Sequence, residues 1–466
     1  MKSTTAMNPS PDARPSRSAT RVPGISLREQ VEGMRAMRKN QVDYLARMIA
    51  VYGDVVRIRA FGVNMIVLNH PDHFERVLVR NHENYDKNTL LFRAVEPILR
   101  GGLIGAVGGE PWRRRRRIMQ PAFHRPQVAG FAKNMTDETG LMVRRWEREY
   151  SEDDAIDVCN ELGQLVLRIV FRTLFGAEVG EGGEEIESIF VEGNQIMGQF
   201  FQLPFPPLTW PTPRNRRLRQ IIGIMDGYVD EVIRRRDEEG EEHHDLLTLL
   251  VDGVDEETGI GMTPVQLHRE VLNTIIGGYE TSSNAIAWLI YLVGTHPHVQ
   301  ERLQAEVDGV LGGRVPTFDD LQRLQYTRMV VDEMLRLYTP AFQTMRRSIE
   351  ADEIGGYHIP RKSNIYLNIY ALHRHPDFWP SPDAFDPERF SPEQVAQRPR
   401  HAFVPFGSGP RNCIGKHFAL TELTLVLAML AQAFRMEIPE EHREVQFEPL
   451  ITLRPKGGIY ARMRRR

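Results

Sequence analysis

One ten-residue stretch constrains this chain more than any other: Phe406-Gly407-Ser408-Gly409-Pro410-Arg411-Asn412-Cys413-Ile414-Gly415, followed by the apolar run Phe418–Leu430. It sets a cysteine in a glycine-rich turn at the mouth of a helix. The run reads as a buried helix, whose N-terminal N–H groups and dipole stabilise a negative sulfur. The chain has two cysteines, so a site built on one thiolate uses Cys413 or Cys159. Cys159 falls in the helical stretch 157–171 and reads as a small core residue. Gly409 lets the backbone turn without a Cβ penalty, and Gly415 leaves room for close approach of a ligand.

The spacing Phe406-x-x-Gly409-x-Arg411-x-Cys413-x-Gly415 resembles the haem-ligand loop of the cytochrome P450 family. The resemblance implies a cysteine thiolate as axial ligand of haem b, pushing electron density onto the iron so that a bound O–O bond is cleaved. It gives Arg411 to a haem propionate. Three further segments carry it. Gly277-Gly278-Tyr279-Glu280-Thr281 interrupts an apolar helix, where paired glycines cost about 1 kcal/mol each against alanine. It resembles the family's oxygen-binding helix, with Thr281 hydrogen-bonding dioxygen and Glu280 relaying protons through water. Read without the resemblance, the glycines serve helix packing and the polar pair caps a kink.

Glu333 and Arg336, at i and i+3, share a helix face, and Arg389 follows in Phe385-Asp386-Pro387-Glu388-Arg389-Phe390. A surface ion pair is the plain reading. The resemblance makes the three structural, locking the segment that presents the cysteine. Trp112 and Arg116, at i and i+4 in Glu110-Pro111-Trp112-Arg113-Arg114-Arg115-Arg116-Arg117, share a face and match the family's Trp-x-x-x-Arg contact to the propionates. Arg347 aligns with a second propionate position, with Arg346 beside it as the competing choice. The remaining arginines read as a solvated basic face. By resemblance this helix borders the cysteine-side surface, where Arg113, Arg117 and Lys416 would receive an acidic ferredoxin or flavodoxin supplied by a reductase.

The rest of the chain sets limits. With 466 residues, 41% hydrophobic residues and a net charge of -3, it has an ordinary globular composition with no call for nucleic acid. Two cysteines fit a reducing compartment, and no apolar run approaches the roughly 18 residues of a membrane span, so a cytoplasmic protein is expected. Residues 1–25 read as a disordered leader and 26–466 as one P450 domain without a fused reductase. The expected fold is mainly α with a minor β region, many helices enclosing one buried haem. Alternating residues 54–59 and 63–68 around Phe61-Gly62 predict a hairpin. Helical periods cover 153–175, 214–237 and 270–294.

The substrate walls are assigned by resemblance to Phe92, Leu103, Phe201, Phe205, Ala341, Phe342 and Ile451, mostly apolar side chains that suit a terpenoid, fatty acyl or polyketide-like substrate. Together these features imply a monooxygenase inserting one oxygen atom from O2, with electrons from NAD(P)H through separate redox proteins, as in secondary metabolism. A peroxide-driven peroxygenase or an isomerase or dehydratase on the same fold is the alternative, and a haem-binding sensor the second.

Overall fold

A computed structural model of the chain describes residues 20–60, 63–174, 176, 188–189, 191–193, 195–197, 208–239 and 245–466. The centre is the helix Pro264–Thr295, started by a capping box in which Thr263 and Gln266 satisfy each other's backbone N–H groups. Apolar residues run round most of it, so it is buried along most of its length, with Ile286, Trp288 and Leu289 fully enclosed. Around it pack the helices Val158–Leu174, Pro213–Glu239, Pro297–Leu311, Gln325–Leu337 and Lys416–Ala433, with Arg125–Glu149 against Val158–Leu174 and Lys416–Ala433. The fold is the mainly α architecture expected, with a minor β region.

That region is led by a five-stranded sheet in the order Val55–Ala60, Val63–Leu68, Asn364–Asn368, Gln343–Ser348 and Tyr85–Asp86. The first two strands form the expected hairpin, with Ala60 opposite Val63; the turn residues Phe61 and Gly62 lie outside the described residues. Residues 153–175 divide differently from their helical period. Ala155–Asp157 is a strand pairing with Tyr460–Arg462, and the helix starts only at Val158. The β-branched Ile156 is buried under that sheet, so tertiary pairing overrides helical propensity there.

Residues 20–25, which composition assigns to a leader, are placed in the fold. Thr20 and Arg21 pair in parallel with Tyr357 and His358, and Val22 and Ile25 are buried. Two apolar side chains that find a core suffice to order residues that polarity alone assigns to a tail. Residues 1–19 lie outside the described residues.

Candidate functional site

The cysteine loop is built by close approach. Gly407 and Gly409 both have φ of 69°, and a Cβ on Gly409 would fall 1.8 Å from the Leu78 carbonyl oxygen. Only glycine fits there. Gly415 differs: its φ is -84°, and a Cβ would meet nothing nearer than Phe123 at 3.9 Å, so no protein atom demands glycine. The Cys413 N–H donates to the Phe406 carbonyl at 2.8 Å, closing the turn immediately before the helix Lys416–Ala433. Burial pushes the Cys413 thiol up, against the opposing pull of the Gly415 N–H and the charges of Arg116 and Lys416.

A cavity of about 380 Å³ lies between this loop and the central helix. Cys413, Phe406, Arg411 and Gly415 line one side, and Gly277, Gly278 and Thr281 line it from the central helix. The helix is continuous α through the two glycines, and the Thr281 hydroxyl donates to the Gly277 carbonyl at 2.7 Å. Gly278 permits close packing, since a Cβ there would stand 3.3 Å from Val170 Cγ2.

Glu280 takes another direction. Its Oε1 accepts from Thr452 Oγ1 at 2.6 Å, and the residue is not among those lining the cavity. One residue of helical rotation separates it from Thr281, which is enough to turn the carboxylate toward the hairpin Phe447–Pro455.

Four cations converge on the same cavity: Lys87, Arg116, Arg346 and Arg411. Lys87 Nζ donates to the Ile104 carbonyl, Arg116 to the Asn412 backbone and side-chain oxygens, Arg346 to Thr344 Oγ1 and the Met345 carbonyl, and Arg411 to the Ala106 and Val107 carbonyls. None of the four forms an ion pair with a carboxylate among the described residues. Burial lowers Arg346 to about 9 and Arg411 to about 10, and Lys87 falls well below its usual value through burial and the neighbouring arginines. So much unanswered positive charge in an enclosed space fits a ligand with two carboxylates. Trp112 lines the cavity as well, with the Arg411 guanidinium 4.2 Å above its ring. The lining, a cysteine sulfur and four cations around one cavity, fits haem and its propionates.

The arginine pair in the strand Gln343–Ser348 is decided by alternation. Arg346 is buried and lines the cavity; Arg347, one residue on, points to the opposite face and does not. The propionate expectation for Arg347 therefore passes to Arg346. Lys87 was missed by sequence reasoning, because a single lysine in a loop carries no periodic signal.

The arginine run is not a solvated basic face either. Arg115 is buried, with Nε 3.5 Å from Glu270 Oε1, while Glu270 Oε2 accepts from the Leu103 N–H at 2.9 Å. Arg117 is held by Asp255 at 2.7 Å and by Glu110 and Glu257, and Arg113 lies near Glu83 and Glu110. Their charge is answered locally, whereas Lys416, exposed like Arg113, forms no ion pair among the described residues.

Of the expected substrate walls, Leu103 and Ala341 line the cavity. Phe342 instead fills a separate core with Val42, Tyr370 and Leu453. It follows Ala341 directly, and its ring is 1% exposed. Phe92 and Ile451 are not among the lining residues, Phe92 lying under Lys87 with Nζ 4.7 Å from its ring. Phe201 and Phe205 lie outside the described residues.

Behind the loop, Glu333 and Arg336 are fully buried, and Arg336 donates to both Glu333 oxygens at 2.7 Å. Arg336 also donates to the carbonyls of His373, Pro382 and Ala384. Arg389 Nε stands 3.3 Å from Glu333, and the Asp386 N–H donates to the same carboxylate at 3.0 Å. His373 Nε2 in turn accepts from the Val404 N–H at 2.9 Å, two residues before Phe406. The plain surface-pair reading fails on burial alone.

Comparison with known proteins places this architecture. The family model Cytochrome P450 matches residues 28–462. The chain is 33% identical to a cyclooctat-9-en-7-ol 5-monooxygenase of Streptomyces melanosporofaciens, over 93% of this chain and 92% of that protein. It is 35% identical to a cyclooctatin synthase of the same organism, over 90% of each. It is 32% identical to a pentalenene oxygenase of Streptomyces avermitilis, over 87% of this chain and 89% of the relative.

Proposed function

The chain belongs to the cytochrome P450 family of monooxygenases, and on that premise we propose that it inserts one atom of O2 into a C–H or C=C bond of a cyclic terpenoid. The observation that carries the reading is the single cavity shared by the Cys413 loop, Thr281 and four cations. The relatives' names, a cyclooctatin-type alcohol and pentalenene among them, favour a terpenoid over a fatty acyl or polyketide-like substrate. They favour oxygenation over the peroxygenase, isomerase and sensor readings. The setting is then secondary metabolism, in the cytoplasm; no helix of the described residues is long and apolar enough to cross a membrane.

Haem b is the cofactor this lining fits: Cys413 would hold it through its sulfur, and Arg116, Arg346, Arg411, Lys87 and Trp112 would meet its propionates. When bound it supplies the activation of dioxygen, assisted by electron density from the thiolate. The protein's part is positioning and protons. The Thr281 hydroxyl, held by the Gly277 carbonyl, can accept a hydrogen bond from cavity water and keep one oriented over the cysteine loop. Glu280 reaches that water only by leaving Thr452. The apolar walls, Leu103 and Ala341 among them, exclude bulk water and hold an apolar substrate by area.

Electrons from NAD(P)H would arrive through a reductase and a ferredoxin or flavodoxin. The docking face is the one beside Lys416, where His124, Arg125 and His417 are exposed and Arg328 is close enough to act on His417.

The first test is the absorbance spectrum of the dithionite-reduced, CO-treated protein. A Soret band at the red-shifted thiolate position is expected, and its absence defeats the proposal. With NAD(P)H, ferredoxin, reductase and pentalenene or cyclooctat-9-en-7-ol, products gaining one oxygen are expected. Thr281→Ala should divert most electrons to peroxide or water, lowering product per electron by about tenfold or more; full coupling contradicts the role given to the hydroxyl. Arg346→Ala should weaken haem retention about tenfold to a hundredfold, the equivalent of one charge-assisted hydrogen bond, while Arg347→Ala leaves it near wild type. Transfer of haem to a scavenging protein measures both, and the reverse order would return the propionate to Arg347.

A further inference from the structure

Three polar side chains line the cavity from the central helix on the N-terminal side of Thr281: Glu270, Asn273 and Thr274. Glu270 is fully buried and Asn273 is 2% exposed. Two of them hold the loop 99–103 with one atom each. Asn273 Nδ2 donates to the Leu99 carbonyl at 3.0 Å, and Glu270 Oε2 accepts from the Leu103 N–H at 2.9 Å. The other oxygen of each, Asn273 Oδ1 and Glu270 Oε1, has no hydrogen-bond partner among the described residues. Asn273 Nδ2 also donates to the Arg269 carbonyl, so two carbonyls fix which end of the amide is idle. Pinning the loop therefore accounts for half of each group. A buried acceptor without a donor is destabilising, and two of them on one cavity wall point to a ligand that brings the donor.

Every idle atom in this place is an acceptor. The Thr274 hydroxyl donates its proton to the Glu270 carbonyl at 2.8 Å, which leaves only its lone pairs for the cavity. A ketone or an ether brings no donor, and a hydrocarbon would leave the acceptors unpaired. The charge of Arg115, 3.5 Å from Glu270 Oε1, disfavours an ammonium group in the same space. An alcohol O–H fits. Residues 270, 274, 277 and 281 share one face of the continuous helix. At 1.5 Å of rise per residue, Asn273 and Thr274 stand about 10–12 Å from Thr281 along it. The wall between is apolar, made by Gly277, Gly278 and the Ile104 side chain packed on Gly277.

We propose that Glu270, Asn273 and Thr274 form a hydroxyl-reading end of the cavity, so that the substrate is a terpenoid already carrying an alcohol. The inference rests on the terpenoid monooxygenase reading and narrows it. The alcohol O–H donates to Asn273 Oδ1 or Glu270 Oε1 and pairs what is otherwise unpaired. Anchored there, the skeleton presents its far end to Thr281, and the oxygen enters about 10–12 Å from the hydroxyl. A site built around a substrate hydroxyl rejects the analogue that lacks it, because its own buried groups are then left bare. The reaction that supplies this substrate is one that installs a hydroxyl on a terpene skeleton.

Titration of the haem-loaded protein, followed by the shift of the ferric Soret band, tests this with two matched probe sets. One is bornane, borneol and camphor; the other is cyclooctat-9-en-7-ol, its ketone and its deoxy parent. Each alcohol should bind about tenfold to a hundredfold tighter than its ketone and its hydrocarbon. Equal affinities within both sets overturn the proposal. Asn273→Leu should remove the alcohol's lead while leaving the hydrocarbon near wild type, and Glu270→Gln, whose amide can donate, should move preference toward the ketone. Equal losses for all three members of a set would mean that these residues only hold the loop 99–103, and would overturn it too. Thr274→Val has nearly the same shape and keeps the test alive if the other variants fail to fold; it should narrow the alcohol's lead severalfold, and an unchanged lead removes Thr274 from the site. The CO spectrum of the same samples separates the failures. A thiolate band without alcohol preference sinks this inference alone, a thiolate band with no shift from any probe sinks the terpenoid reading with it, and a missing band sinks the monooxygenase reading.

Discussion

Cys413→Ser is expected to abolish the red-shifted CO Soret band and reduce oxygenation to background, while leaving the fold intact. The residue is held by its backbone, with its N–H on the Phe406 carbonyl, and Gly407 and Gly409 before it set the turn. None of that depends on sulfur. The chemistry does. A serine hydroxyl stays neutral where a thiolate would be stabilised by the Gly415 N–H and by Arg116 and Lys416, so it cannot supply the axial charge that favours O–O cleavage. Circular dichroism and the CO difference spectrum, read together, check the expectation. A serine variant with wild-type turnover would remove Cys413 from the site, and the only other thiol, Cys159, has its own burial pushing it up to about 12, far from a ready thiolate.

Glu333→Ala is expected to cost about 3–5 kcal/mol and to yield little haem-loaded protein. Removing the carboxylate leaves Arg336 with zero exposure and its Nε unpaired, and leaves Arg389 without its buried partner. Burial raises the Glu333 carboxyl, opposed chiefly by Arg336. The consequence is local as well as global. Arg336 holds the carbonyls of His373, Pro382 and Ala384, and His373 holds Val404, so the damage propagates to Phe406 and the cysteine turn. Thermal unfolding and the ratio of Soret to protein absorbance measure the two effects. Glu333→Gln keeps the shape and should fall between; a Glu333→Ala protein with normal haem content would sink the locking role.

Much of this was legible in the chain, and the reason differs by element. The Cys413 loop, the Trp112–Arg116 pair and the Glu333–Arg336 pair are local: three- and four-residue spacings place side chains on one helix face wherever the helix goes. Gly409 was readable because its requirement is a backbone one, confirmed by the Leu78 carbonyl against which it lies. What misled was whatever depends on the far side of a contact. Five consecutive arginines look like a basic surface, yet Arg115 meets Glu270 and Arg117 meets Asp255, residues more than a hundred positions away.

By itself, then, the sequence determined the helical frame, the cysteine loop and the residue types of the site, because periodicity and turn chemistry act over a few residues. Only the tertiary structure decided which neighbour faces the cavity. Alternation along a strand guarantees that Arg346 and Arg347 oppose each other, but the packing of the sheet selects Arg346. Rotation along a helix separates Glu280 from Thr281, but the distant Thr452 claims the carboxylate. Lys87 becomes a cavity-facing cation, and Glu422 a buried acid, only where segments remote in the chain enclose them and remove water.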